Sequence, residues 1–352
     1  MPAKKKKKSK KINSPHAGES KNRKRFFGGG TKRNFLAQLL IIVILATGAS
    51  LFNASFIHSP IVERTEFMVA PGASISKVSN DLRAQNLIGS EFLFKVSVQF
   101  WGGRVQSGLY EMKPGQSVWR VARDLSRGRI AMTMITIPEG LTAKQIYEIV
   151  GKHPGLAGEV RILYKDGELF PDTYGVAKGA DRNKVLVAMA DKMARVREKY
   201  ENQLPENIKD WNELLSLAAI IQKETSKPAE MPRVSGVYSN RLKTGMKLQA
   251  DPTVVYAITD GWGHMQGRAI YRKHLEIDSP FNTYKYKGLP PTPIANPGMQ
   301  AIQAALNPEQ HGYFYFVADG TGGHIFAETY EEHQVNHANW REIRKGLNEP
   351  KD

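Results

Sequence analysis

From Asn34 to Val62 the chain contains no Asp, Glu, Lys or Arg. Its most apolar part, FLAQLLIIVILATGASLFNASFI (Phe35 to Ile57), holds about 23 residues, roughly 34 Å as a helix and long enough to cross the hydrocarbon core of a bilayer. Whatever else this chain folds into, it must find an apolar environment for that segment. The flank before it is basic: the first 33 residues carry 13 Lys+Arg against one acid, Glu19. The positive-inside rule then predicts residues 1–33 in the cytoplasm and 63–352 on the far side of the membrane. A cleaved signal peptide is the competing reading, with Ala46, Thr47, Gly48 and Ala49 as small residues near a cleavage point. The long tail and long apolar run favour an uncleaved anchor.

The net charge of +16 belongs to this tail. Outside it stand 37 basic and 33 acidic residues, so the charge says little about the folded part. Lys4 to Lys8, Lys10, Lys11, Arg23 to Arg25 and Gly28 to Gly30 bury no core and predict disorder. A lysine run of this kind sets topology. It is too unspecific to raise a nucleic-acid contact, and no nucleic-acid partner is expected. With no cysteine, disulfides, thiolate metal sites, cysteine nucleophiles and a lipoprotein anchor are excluded.

Residues 63–150 contain a weak threefold repeat: Val69-Ala70-Pro71-Gly72-Ala73-Ser74, Met112-Lys113-Pro114-Gly115-Gln116-Ser117 and Ile137-Pro138-Glu139-Gly140-Leu141-Thr142. Each predicts a strand end, a Pro/Gly turn, a Ser/Thr N-cap and a short helix with apolar residues four apart. Chance is the alternative, because Pro-Gly turns are common. Small strand–helix units of this type resemble LysM-like glycan-binding modules. Residues 151–340 read as one further domain, with helices expected at 184–200, 210–224, 232–243 and 298–306, and a hairpin where 313–318 and 324–329 flank a glycine-rich turn. The fold class is α+β: a single N-terminal transmembrane helix (34–58), a small LysM-like strand–helix domain (63–150), then an α+β catalytic domain (151–340) and a C-terminal tail (341–352).

The segment DWNELLSLAAIIQKETS (210–226) carries the chemistry. Asp210 with Glu213 makes a capping-box-like start. Leu214, Leu217, Ile221 and Glu224 share one helical stripe, joined by Ala218 and Ile220. Glu224 closes that stripe, and Pro228 soon ends the helix. A carboxyl there is partly desolvated, which raises its pKa and suits a general acid. The plainer alternative is a helix-end Glu facing solvent or paired with Arg233 or Arg241. The next helix places Val234, Val237, Tyr238 and Arg241 at helical spacing, to pack against the first. Asn240, Gln249 and Asp251 follow as amide and acid groups suited to sugar hydroxyls and acetamido groups; Asp251 before Pro252 also suits a plain helix start. Phe170 to Tyr174 and Tyr284, Tyr286, Leu289, Pro290 and Pro291 supply aromatic, rigid loops for a groove, with Tyr174 and Tyr284 as candidate contacts. His333 and His337 lack the intervening glutamate of a zinc protease and read as exposed helix residues, and His324 has no nucleophile nearby in sequence. No metal site, cofactor site, nucleophile elbow or phosphate loop is expected.

The runs IIQKETSKPAEMPRVSGVYSNRLKTGMKLQADPTVVYAI (220–258), HLEIDSPFNTYKYKGLPPTPIANPGMQAIQAALNP (274–308) and YFYFVADGTGGHIFAETYEEH (313–333) resemble the endolytic murein transglycosylase (YceG-like) family. FPDTY and the Pro-Gly units fit as well, over about residues 65–335. The resemblance implies a lytic transglycosylase that cuts peptidoglycan glycan strands near peptidoglycan synthases (penicillin-binding proteins). It also implies that the glutamate of Lys223-Glu224-Thr225 is catalytic. Asn240, Gln249 and Asp251 match family motif positions. The alternative from another class is a non-catalytic, membrane-anchored peptidoglycan-binding protein.

Overall fold

The structure is a computed structural model that describes residues 30–53, 60–262 and 270–348. The basic tail up to residue 29, the end of the apolar run at 54–57 and the final residues 349–352 lie outside the described residues. Helix α1 (Gly30–Phe52) begins earlier than expected, within the basic flank, and its stretch Phe35–Phe52 is long and apolar enough to cross a membrane. The large apolar side chains of this stretch are exposed, and none of the described residues buries them.

The first Pro-Gly copy is strand β1 (Thr65–Val69) leading to α2 (Ile75–Ala84). Helix α3 (Glu91–Phe100) follows, and the second copy is β2 (Gly108–Met112) and α4 (Val118–Ser126). The third is β3 (Met132–Thr136) and α5 (Ala143–Lys152). The three turns share one backbone angle: Gly72, Gly115 and Gly140 each have φ +75°, a left-handed value that a Cβ disfavours. Ser74, Ser117 and Thr142 follow as extended N-caps with ψ of 154°, 161° and 162°. The caps differ in strength. Thr142 closes a full capping box with Gln145, Ser74 accepts from the Lys77 N–H at 3.2 Å, and Ser117 makes no cap bond.

The third copy nevertheless packs apart from the first two. β1 and β2 pair antiparallel, Phe67 opposite Tyr110, and enclose one core with Val78, Leu82, Phe94, Val98, Val121 and Leu125. β3 pairs with β5 (Thr173–Ala177), Ile135 opposite Tyr174, and α5 shares a second core with α6 (Arg182–Tyr200) through Ile146, Val150, Val185, Leu186 and Met189. Two-residue strands β4 (Leu156–Ala157) and β6 (Ala180–Asp181) pair in parallel beside it. The apolar clusters therefore separate near residue 130, whereas the sequence grouping placed 63–150 together. A fragment beginning at residue 151 loses the buried side chains of Ile135, Ile137, Ile146 and Val150, each worth about 1.5–3 kcal/mol. Such a fragment is expected to unfold well below the melting temperature of one beginning at Ala131, measured by circular dichroism.

The third core is helical. It joins α7 (Trp211–Glu224), α8 (Met231–Lys243), α9 (Asp251–Thr259) and α10 (Met299–Leu306). α7 was expected to bury one stripe; instead every residue from Leu214 to Ile221 is buried, because α8 and α10 pack on different sides of it. Ala218 and Ala219 meet Ala301, Ala304 and Ala305 in that core, where small side chains let helix backbones approach closely. Strands β7 (Tyr315–Ala318) and β8 (His324–Ala327) form the expected hairpin, Phe316 opposite Phe326, and Asp319 holds its turn by accepting the Thr321 and Gly323 N–H groups. Helix α11 (Tyr330–Asn348) continues through residues 341–348, where a tail was expected.

Candidate active site

Glu224 is the last residue of α7, and Thr225 behind it turns extended, at φ −137°. Asp210 sets the other end by accepting the Glu213 N–H at 2.9 Å, while the Glu213 carboxylate accepts from the Lys209 N–H, one residue earlier than in a capping box. A glutamate at a helix C-terminus faces the negative end of the helix dipole, which disfavours its ionised form. Packing adds a larger effect. Desolvation, reinforced by the Asp251 charge, raises the Glu224 pKa to about 7, although the Tyr238 hydrogen bond and the Arg241 charge pull it back. Glu224 is half-buried and, among the described residues, makes no ion pair, while Arg233 pairs with Glu309.

The partners of this carboxyl come from the next helix and two loops. Tyr238, fully buried on α8, donates from Oη to Glu224 Oε1 at 2.8 Å. Burial and the Glu224 charge raise its pKa well above the ordinary tyrosine value, so it stays a phenol donor. Arg241, one turn on, lies buried with its Nε donating to Phe314 O at 2.7 Å and a terminal nitrogen donating to Leu248 O at 2.6 Å. It spans from the hairpin to the loop before α9, with its guanidinium 5.4 Å from the Tyr315 ring centre. Asp251 opens α9, and its carboxylate accepts from Tyr284 Oη at 2.5 Å, which brings an aromatic ring to the Glu224 side of the loop. A second network ties the hairpin to the helix end: Thr225 donates from Oγ1 to Glu230, whose carboxylate also meets His324 Nδ1 at 2.8 Å. Phe316 lies edge-on to both Tyr238 and His324.

The sequence candidates separate in space. Glu224, Asp251 and Tyr284 come together. Gln249 lies beside them with an exposed side chain and φ +49°, an uncommon conformation for a residue with a Cβ; its N–H is held by Thr283 O at 3.1 Å. Tyr174 does not join them. It is buried opposite Ile135, and its Oη donates to Phe170 O at 2.6 Å, so its place as a sugar contact is corrected to a core role. The Asn240 amide nitrogen donates to His311 O and Tyr313 O at 2.9 and 3.0 Å and holds the strand leading into the hairpin. Asp251 does not cap α9, a position taken by Ala250. His333 and His337 are half-buried, not exposed, because α11 lies against β7 and stacks His333 on Tyr315. His324, without a partner near it in sequence, has Glu230 in space. The residues that sequence reasoning missed are Tyr238 and Arg241, read as packing and pairing residues; the signal was a polar end on an otherwise apolar helical stripe.

Two of the groups acting on Glu224 have opposite effects that can be measured. Removing the phenol that stabilises the ionised form, Tyr238→Phe, should raise the Glu224 pKa. Removing a like charge, Asp251→Asn, should lower it. A general acid works while protonated, so the alkaline limb of kcat/KM should move to higher pH in the first variant and to lower pH in the second. Limbs that stay in place in both would show that Glu224 is not the titrating acid.

The YceG-like family model matches residues 67–339. The endolytic murein transglycosylase of Bacillus subtilis (strain 168) is 30% identical over 82% of this chain and 89% of its own length. A protein of the same name from Streptococcus pneumoniae (strain D39) is 24% identical over 86% of this chain; the match spans 64% of that longer protein. A crystal structure of a putative yceG-like protein from Listeria monocytogenes, 29% identical, covers 78% of this chain and 99% of its own at a TM-score of 0.49. With the family model matched over most of its length and the Bacillus relative aligned nearly end to end, this chain belongs to the YceG-like family.

Proposed function

We propose that this chain is a lytic transglycosylase that cuts the MurNAc–GlcNAc bond of nascent peptidoglycan strands, leaves 1,6-anhydromuramyl ends and so terminates strand elongation. The observation that carries this reading is the half-buried Glu224 carboxyl, oriented by the Tyr238 hydroxyl and raised to a pKa of about 7 by desolvation. The names of the Bacillus and Streptococcus relatives support murein transglycosylase activity. Glu224 donates its proton to the glycosidic oxygen as the bond from C1 to that oxygen breaks. The muramic acid C6 hydroxyl then attacks C1 and returns its proton to Glu224. One glycosidic bond is lost, one C1–O6 bond is gained, and no water is consumed. The internal hydroxyl is already tethered near C1, which replaces the second carboxylate of an ordinary glycosidase. Tyr284 and Gln249 border the strand, with Asp251 fixing the tyrosine.

In this reading α1 anchors the chain in the inner membrane, the basic tail stays in the cytoplasm, and the body works outside it beside peptidoglycan synthases. The unit around β1 and β2 is a LysM-like glycan-binding part. A second reading rests on Asp251, whose charge reaches Glu224 and supplies the two carboxyl groups of a hydrolase. Mass spectrometry of muropeptides released by the full chain decides between them. Anhydro ends without uptake of ¹⁸O from labelled water are expected; reducing ends carrying ¹⁸O would establish the hydrolase. An intact glycan would leave a binding protein.

A further inference from the structure

Helix α3 turns Phe94, Ser97 and Val98 into the core of the β1–β2 unit. Its outer side carries Phe92, Val96 and Phe100, which are 70%, 51% and 70% exposed. Their spacing of four places them in one outward row along the helix. The row runs into an aromatic group: the Phe100 ring lies 4.8 Å from Trp119, Trp119 lies 5.2 Å from Trp101, and the Arg127 guanidinium sits 4.5 Å from the Trp101 ring centre. Arg120 follows Trp119 on α4 and is exposed. Three large apolar side chains in line on a folded unit need a partner that removes them from water.

We propose that this face docks on the lipid bilayer, a reading that rests on α1 being the membrane anchor. Ile61 is buried in the core of the same unit, and the apolar stretch of α1 ends at Phe52. Nine peptide steps, extended, reach at most about 31 Å, so the unit is leashed to the membrane face. The composition of the face matches an interface. Phe92, Val96 and Phe100 enter the boundary between headgroups and acyl chains, Trp119 lies at headgroup level, and Arg120 and Arg127 meet lipid phosphates. A glycan is a poorer occupant, because sugar hydroxyls need hydrogen-bond partners and the three side chains of the row bring none.

The absence of cysteine permits single labels in the full chain. An environment-sensitive fluorophore is attached at Val96→Cys, at Ser76→Cys on the exposed side of α2, and at Leu40→Cys in α1, each in nanodiscs of phosphatidylcholine and phosphatidylglycerol. Doxyl lipid is expected to quench the label at 96 at least about threefold more than at 76, and iodide in the water less. Phe92→Ser with Phe100→Ser should return the 96 label to the 76 level. Equal quenching at 96 and 76 overturns the proposal while lipid quenching at 40 keeps the anchor. A label at 40 that lipid does not reach overturns the anchor and this proposal with it. Protection at 96 that appears only with added glycan, or only when a disc holds two copies, overturns lipid as the occupant. If Val96→Cys fails to fold, Gln99→Cys on the same side replaces it.

Discussion

Glu224→Gln is expected to fold and to lose turnover by at least about 10², the span of one general acid–base group. Gln is nearly isosteric, and its carbonyl oxygen can still accept the Tyr238 hydroxyl, so the contact that orients residue 224 survives. What disappears is the transferable proton. Stability should move the other way above neutral pH. Glu224 has a folded-state pKa of about 7 against an ordinary 4.5, so folding favours its protonated form. That contribution is fully present below about pH 4.5 and is lost as pH rises through about 7, when a charge must be held in an enclosed site. Gln carries no such charge. The variant should therefore match the parent near pH 4.5 and exceed it at pH 8, by up to about 3 kcal/mol from a shift of this size. Denaturant titrations at the two pH values, beside a turnover assay, check both halves. A folded variant with near-normal turnover would falsify the role of Glu224.

Asn296→Ala is expected to cost stability on the order of 4 kcal/mol, the largest structural effect among the polar residues considered. Asn296 is fully buried, and its Oδ1 accepts the Gly167 and Leu169 N–H groups at 3.0 Å each. Its Nδ2 donates to Leu141 O, and its own backbone exchanges bonds with Gly140 and Leu141. One side chain thus joins the third Pro-Gly turn, the loop before β5 and the segment leading into α10. Alanine leaves two buried N–H groups without acceptors, each costing about 1–3 kcal/mol. Calorimetry should record a melting temperature lower by roughly 10 °C. Activity of the folded fraction should change little, because the hydrogen bonds of Asn296 go to Gly140, Leu141, Gly167 and Leu169 and not to Glu224 or Tyr238. A melting temperature within two or so degrees of the parent's would mean that water replaces the amide at low cost.

Asn296 also marks where sequence reasoning stopped. Its segment was noticed only as part of the family likeness, since a buried asparagine looks like any loop asparagine until its three partner segments are folded around it. Tyr174 misled for a related reason. A tyrosine in an FPDTY loop fits a groove, yet the pairing of β3 with β5 turned it inward, and nothing local selects β5 as the partner of β3. Asn240 shows the same limit, its amide consumed by a strand more than 70 residues away.

The features legible in the sequence are those governed by short range. The apolar run predicts α1, the Pro-Gly-Ser/Thr units predict turn, cap and helix, the period of 210–224 places Glu224 at a helix end, and the glycine-rich turn predicts the hairpin. Each depends on backbone dihedrals, caps or periodicity within a dozen or so residues. Tertiary structure alone decided that the third repeat leaves the first two, that α7 is buried on all sides, and which groups surround the carboxyl. Tyr238 lies 14 residues from Glu224, Tyr284 lies 33 from Asp251, and Arg241 reaches Phe314 across 73. Those meetings follow from which surfaces exclude water together, and it is this enclosure, absent from any local pattern, that raises the Glu224 pKa to near neutrality.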